Sequence, residues 1–155
     1  MNPDLEAAIR AVETRAGTRA ALTRHEARPI LLGIGRALLA GRPDEVAGAA
    51  ERLRKLPQPL RESWEDAVRD EMGMAATEHV RSVDPRYIDH PRYDLAYTLE
   101  ARRQLEQRKR ACDHLGLPTD PALLAAVGRS DSILEGHTGR RLAEWLSESS
   151  EDAAS

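Results

Sequence analysis

Tyrosine, histidine, aspartate and arginine gather at one place in this 155-residue chain. All three tyrosines lie between Tyr87 and Tyr97, in a near-repeat of Pro85-Arg86-Tyr87-Ile88-Asp89 and Pro91-Arg92-Tyr93-Asp94-Leu95. A tyrosine ring has an apolar body and a polar tip, which suits pockets and interfaces. Arg86 and Arg92 can fork onto a carboxylate or phosphate, with tyrosine hydroxyls adding hydrogen bonds. There is no Phe, and the only other aromatics of this size are Trp64 and Trp145, so aromatic capacity is concentrated here. The candidate ligand- or partner-binding residues are therefore Arg86, Tyr87, His90, Arg92, Tyr93, Asp94 and Tyr97. The competing account is local. Asp84-Pro85 and His90-Pro91 are ordinary helix-entry signals, and Tyr93 and Tyr97, four apart, can simply pack on a neighbouring helix.

Other chemistry has less support. Glu62, Glu65, Asp66, Asp70 and Glu71 place carboxylates on adjacent helical turns, as a magnesium-dependent helical hydrolase requires. A second acidic helix must then face the first. The residues Glu100, Glu106 and Asp113 are interleaved with arginines, so a solvated face is the better reading of the row. A helical metal site needs Glu-x-x-His or two histidines four apart. None of His25, His79, His90, His114 and His137 has that spacing, and His79 reads as a satisfied, partly buried histidine. No metal site, cofactor or catalytic residue is expected. Cys112 follows Arg108, Lys109 and Arg110, which favour a thiolate, but it sits near a helix C-terminus, where the dipole opposes one. Gly33-Ile34-Gly35 lies in an apolar helix without the strand that a phosphate loop requires. Arg102, Arg103, Lys109 and Arg110 share a helical side and raise a helix-turn-helix reading. The turn that follows is Pro-rich and acids sit among the arginines, so nucleic acid is not an expected partner.

These residues must be carried by helices. Asn2-Pro3-Asp4 caps a first helix, with Leu5, Ile9, Val12 and Ala16 on one face and an end near Thr23, Gly17 being its weak point. Pro29 opens a second, apolar nearly all round and so expected at the centre; Gly33 and Gly35 allow a neighbour to approach closely. Pro43-Asp44-Glu45 opens a third, with Val46, Ala50 and Leu53 inward, and Pro57 and Pro59 end it. A fourth runs over about 60–83, with Leu60, Trp64, Ala67, Val68, Ala75 and His79 on one side. A fifth runs over about 92–114 and is closed by Gly116 and Pro118. Asp120-Pro121 starts a sixth, which Ser130-Asp131-Ser132 breaks or bends. A short last helix holds Leu142, Trp145 and Leu146.

No stretch alternates with period two, so strands are not expected. The chain is 41% hydrophobic and 32% charged, with a formal net charge of −3, which excludes a disordered polymer and a general polyanion binder. Much of the apolar count is Ala, so the core is lean and burial against a second subunit is an attractive remedy. One cysteine precludes an intrachain disulfide. The most apolar stretch, 29–40, is too short to span a bilayer, and no signal peptide is read at the N-terminus. The expectation is an all-α, single-domain bundle of about six helices over 1–147. The fourth and fifth form an antiparallel pair, and 148–155 is a disordered acidic tail. No motif names an activity. The expected role is a cytoplasmic protein-interaction or regulatory module acting through a helical surface, homodimeric by the argument from the lean core. The alternative is a small enzyme or ligand-binding protein with a pocket between the fourth and fifth helices near the tyrosine cluster.

Overall fold

The structure is a computed structural model that describes residues 1–16 and 21–147. The described residues are all-helical, with no strand. Seven helices are bounded among them: α1 (Pro3–Glu13), α2 (Arg24–Leu39), α3 (Pro43–Arg54), α4 (Gln58–Ser82), α5 (Pro85–Ile88), α6 (Leu95–Leu115) and α7 (Pro121–Thr138). Residues 142–147 are helical as well. The expected tail, 148–155, and Gly17 lie outside the described residues.

Several boundaries follow from local chemistry. Asn2 caps α1 by accepting the amide of Asp4, and Gly116 and Gly139 end α6 and α7 at φ 71° and 69°, where a side chain is strained. Two boundaries differ from the sequence expectation. Helix α1 ends at Glu13 instead of running to Thr23. Helix α2 begins at Arg24, more than a turn before Pro29, because Thr23 and Glu26 form a reciprocal capping box. That signal outweighs the proline, which sits inside the helix. Helix α7 runs unbroken through Ser130-Asp131-Ser132. Ser132 donates its hydroxyl to the Gly128 carbonyl one turn back, a bond compatible with the helix, and Asp131 is held by tertiary partners instead of turning onto the local backbone.

Helix α2 packs against α1, α3, α4 and α6. Its Ile30, Leu31 and Ile34 are fully buried. A methyl placed on Gly35 would lie 1.9 Å from the Gln107 carbonyl oxygen, so this glycine sets the close approach of α2 and α6. The main core joins α1 to α4 with α6 and includes Trp64, Val68, Met72 and Leu105. A smaller one gathers Val83, Ile88, Leu99, Leu134 and Leu142, with Tyr93 and Trp145 packed on it.

Candidate functional site

The tyrosine junction divides between two surroundings. Asp84 caps α5 through the Arg86 amide and pairs with the Arg86 guanidinium at 3.2 Å, while Tyr87 is exposed beside it. His90 and Arg92 are exposed, and His90 Nδ1 accepts the Arg92 amide at 3.0 Å. Asp94 caps α6 by accepting the Tyr97 amide. Tyr93 turns inward: its hydroxyl donates to Thr98 Oγ1 at 2.6 Å and its ring meets His137 edge-on, centroids 5.8 Å apart. Burial first, and the Asp94 charge, push the Tyr93 phenol above its ordinary range despite the Thr98 contact. Tyr97 faces the other way and donates its hydroxyl to Glu78 of α4. Of the seven sequence candidates, only Tyr97 lines the cleft between α4, α6 and α2.

That cleft has a volume of about 260 Å³, and Met74, Ala75 and Ala101 are the apolar residues that line it. At one end stands Glu71, 1% exposed. Its Oε1 accepts from Arg108 Nε at 2.8 Å and from Arg28 Nε at 2.9 Å, and Arg108 Nη2 pairs with it at 2.7 Å. Arg24 Nε approaches Oε2 to 3.8 Å, too far for a hydrogen bond, and Oε2 has no other partner. Arg108 is itself buried, and desolvation above all, with the charge of Arg28, lowers its guanidinium pKa against the pull of Glu71. At the other end lie Glu78, Tyr97 and Glu100.

A second buried network lies along the same two long helices. His79 of α4 is fully buried and its Nε2 lies 2.7 Å from Asp131 Oδ1; because a carboxylate only accepts, Nε2 carries the proton. Arg102 of α6 forks onto Asp131 through Nε at 2.9 Å and Nη2 at 3.0 Å, and reaches Glu106 at 3.3 Å. Burial opposes the Asp131 charge, but the hydrogen bonds from His79 and Arg102 outweigh it and hold the carboxyl below its ordinary value. Burial likewise opposes the Arg102 charge, and Asp131 and Glu106 more than offset it, raising that pKa.

Both networks correct the sequence reading. Glu62, Asp66 and Asp70 are solvent-facing as the acidic row implies, but Glu71 is not part of a solvated face. It falls in register with the buried positions Leu60, Trp64, Ala67, Val68 and Met72, and that register was the available signal. Arg102 leaves the supposed basic face in the same way, lying with Arg108 among Leu99, Leu105 and Cys112 on the buried side of α6. Lys109 pairs with Asp113 and Arg110 with Glu106. Burial, more than the neighbouring lysine can offset, pushes the Cys112 thiol up to about 12, which leaves it inert at neutral pH. Among the described residues no three His, Cys, Asp or Glu side chains converge as a cation site, and no helix is long and apolar enough to cross a membrane.

Compared with family models, with curated proteins and with solved structures, the chain matches none.

Proposed function

We propose that this chain is a cytoplasmic protein-interaction module that pairs weakly with a second copy of itself through the exposed face of α4. The observation that carries this reading is the order of residues on that face. Asp70, Gly73, Met74, Thr77 and Arg81 form one helical stripe away from the core. Met74 is 52% exposed, a large apolar side chain left in water. No ion pair within the described chain engages Asp70 or Arg81, whereas Arg69 nearby pairs with Asp66 at 2.7 Å. A twofold axis midway along the stripe sets Asp70 of one copy opposite Arg81 of the other and Met74 opposite Thr77. A stripe that complements itself under a twofold is what a symmetric dimer requires. Gly73 and Thr77 are small enough for two such helices to come close. One apolar anchor supports a weak dimer, not an obligate one. The lone, deeply buried thiol suits a reducing compartment.

Sedimentation across a concentration series tests this reading. The mass should rise above 17.2 kDa as concentration increases. Met74→Asp should abolish the rise, and Asp70→Arg combined with Arg81→Asp should restore what either charge reversal alone weakens. A monomer at every concentration sinks the proposal.

A ligand-binding role is the second reading, and the cleft between α4 and α6 favours it. It is a concave site with charged groups of both signs, a half-exposed tyrosine and a buried carboxylate oxygen that the protein leaves without a donor.

A further inference from the structure

The two ends of the cleft carry opposite charge. At one end Arg28 and Arg108 line the cleft around the single carboxylate of Glu71, which Arg24 approaches from outside it. Arg28 uses only its Nε on that carboxylate and Arg108 only Nε and Nη2, so donor capacity remains on both. The excess is cationic, and Arg108 is 4% exposed, where an unbalanced charge costs most. At the other end Glu78 receives the Tyr97 hydroxyl, and Glu100 meets only Arg103 at 3.5 Å and Gln104 at 3.3 Å. That excess is anionic. From Glu100 to Arg108 the helix advances about 12 Å, with Ala75, Ala101 and Gln104 lining the space between.

We propose that this cleft binds a small linear zwitterion of the length of a short peptide. Its carboxylate would lie against Arg28 and Arg108, and its ammonium between Glu78 and Glu100. A carboxylate presents two oxygens to the forked donors that the arginines still offer. The ammonium meets two carboxylates beside the ring of Tyr97, whose face attracts cations. The span distinguishes a peptide from a plain amino acid, because about 12 Å of helix separates the two charged ends and a single amino acid is too short to reach both. Reversed polarity would set the ligand's carboxylate on Glu78 and Glu100 and is excluded by charge. This inference rests on the ligand-binding reading; Met74, the anchor of the dimer face, also lines this cleft, so the titration is run at a concentration where sedimentation shows a monomer.

The test is isothermal titration of the full chain at low ionic strength with triglycine, N-acetyltriglycine and triglycine amide. Triglycine should bind with a dissociation constant of about a millimolar or tighter, and each blocked form should bind at least about tenfold more weakly. Arg28→Gln should weaken triglycine and N-acetyltriglycine but leave the amide unchanged. Glu100→Gln should weaken triglycine and the amide but leave the acetylated form unchanged. Both side chains are about half exposed, so the variants should fold, which circular dichroism checks. If N-acetyltriglycine binds as tightly as triglycine, the cleft is an anion site: ligand binding stands and the zwitterion falls. If none of the three gives heat up to about 10 mM, the zwitterion falls outright. A thermal shift with some other small molecule, abolished by Arg28→Gln, would then be what keeps the broader ligand-binding reading.

Discussion

Glu71 of α4 and Asp131 of α7 each hold a buried arginine of α6, yet they leave that arginine in different electrical states. Asp131 is saturated: both oxygens are used, by a forked Arg102 and by His79. The guanidinium there gains more from its partners than burial takes away, and its pKa rises. Glu71 is unbalanced: one oxygen receives two arginines and the other receives nothing within hydrogen-bond reach. Its Arg108 loses more to burial than it gains, and its pKa falls. The lesson concerns what a buried ion pair is for. A carboxylate engaged at both oxygens ties elements together, here α7 to α4 and α6, even though His79 Nδ1 behind it finds no partner. A carboxylate that borders a cleft with one oxygen open has capacity left for something else.

The comparison breaks most decisively at Asp131. Asp131→Ala leaves Arg102 buried without its carboxylate and His79 without its acceptor, and should cost about 3–5 kcal/mol in denaturant unfolding. Glu71→Ala should cost less, about 1–3 kcal/mol, because its partner Arg28 is half exposed and one of its carboxylate oxygens makes no hydrogen bond to lose. If the two losses are equal, the distinction between closed and open networks fails. A pair replacement sharpens it. Glu71→Met with Arg108→Met should be neutral or stabilising by about 1 kcal/mol or more, since an apolar pair needs no partners. The same replacement of Asp131 and Arg102 should still destabilise, because His79 Nε2 is left unmatched.

Acid separates the networks next. The folded-state pKa of Asp131 lies below its ordinary 3.8, so its ionisation stabilises the fold above that value. The contribution is lost as pH falls from there through the lower folded-state value. Urea unfolding at about pH 7 and about pH 3 should therefore show a smaller loss in Asp131→Asn than in the native chain. An unchanged loss would mean that Asp131 is not held as the geometry implies. The smallest effect belongs to the cleft wall. Tyr97 is 55% exposed, and Tyr97→Phe should change stability by no more than about 0.5 kcal/mol. A larger loss would mark its bond to Glu78 as structural.

How much of this was legible depends on the range of the interaction. The buried stripe of α4, the caps at Asn2 and Asp120, and the Gly116 stop are encoded within a turn or two, and the chain displays them openly. The start of α2 was also legible in Thr23 and Glu26, but Pro29 drew the reading downstream. The tyrosine cluster was visible as a composition, and its division was not. Tyr93 and Tyr97 are one turn apart on paper, but one begins before α6 and packs on the small core, while the other lies on the helix and faces α4.

By itself, the order of residues determined that this chain is helical, where most helices start and stop, and which faces are apolar. Those properties arise from backbone dihedrals, caps and 3.6-residue periodicity, all of which act locally. Only the tertiary structure decided what the charged residues on those faces do. Glu71 and Asp131 were both acids near a hydrophobic stripe, and nothing within a few residues distinguishes them. Each owes its state to arginines supplied by another helix, at distances that exist only once α2, α4, α6 and α7 have packed. Coulomb energy and desolvation depend on that packing, not on sequence separation, and so they assigned one carboxylate to holding the bundle and left the other facing a cleft.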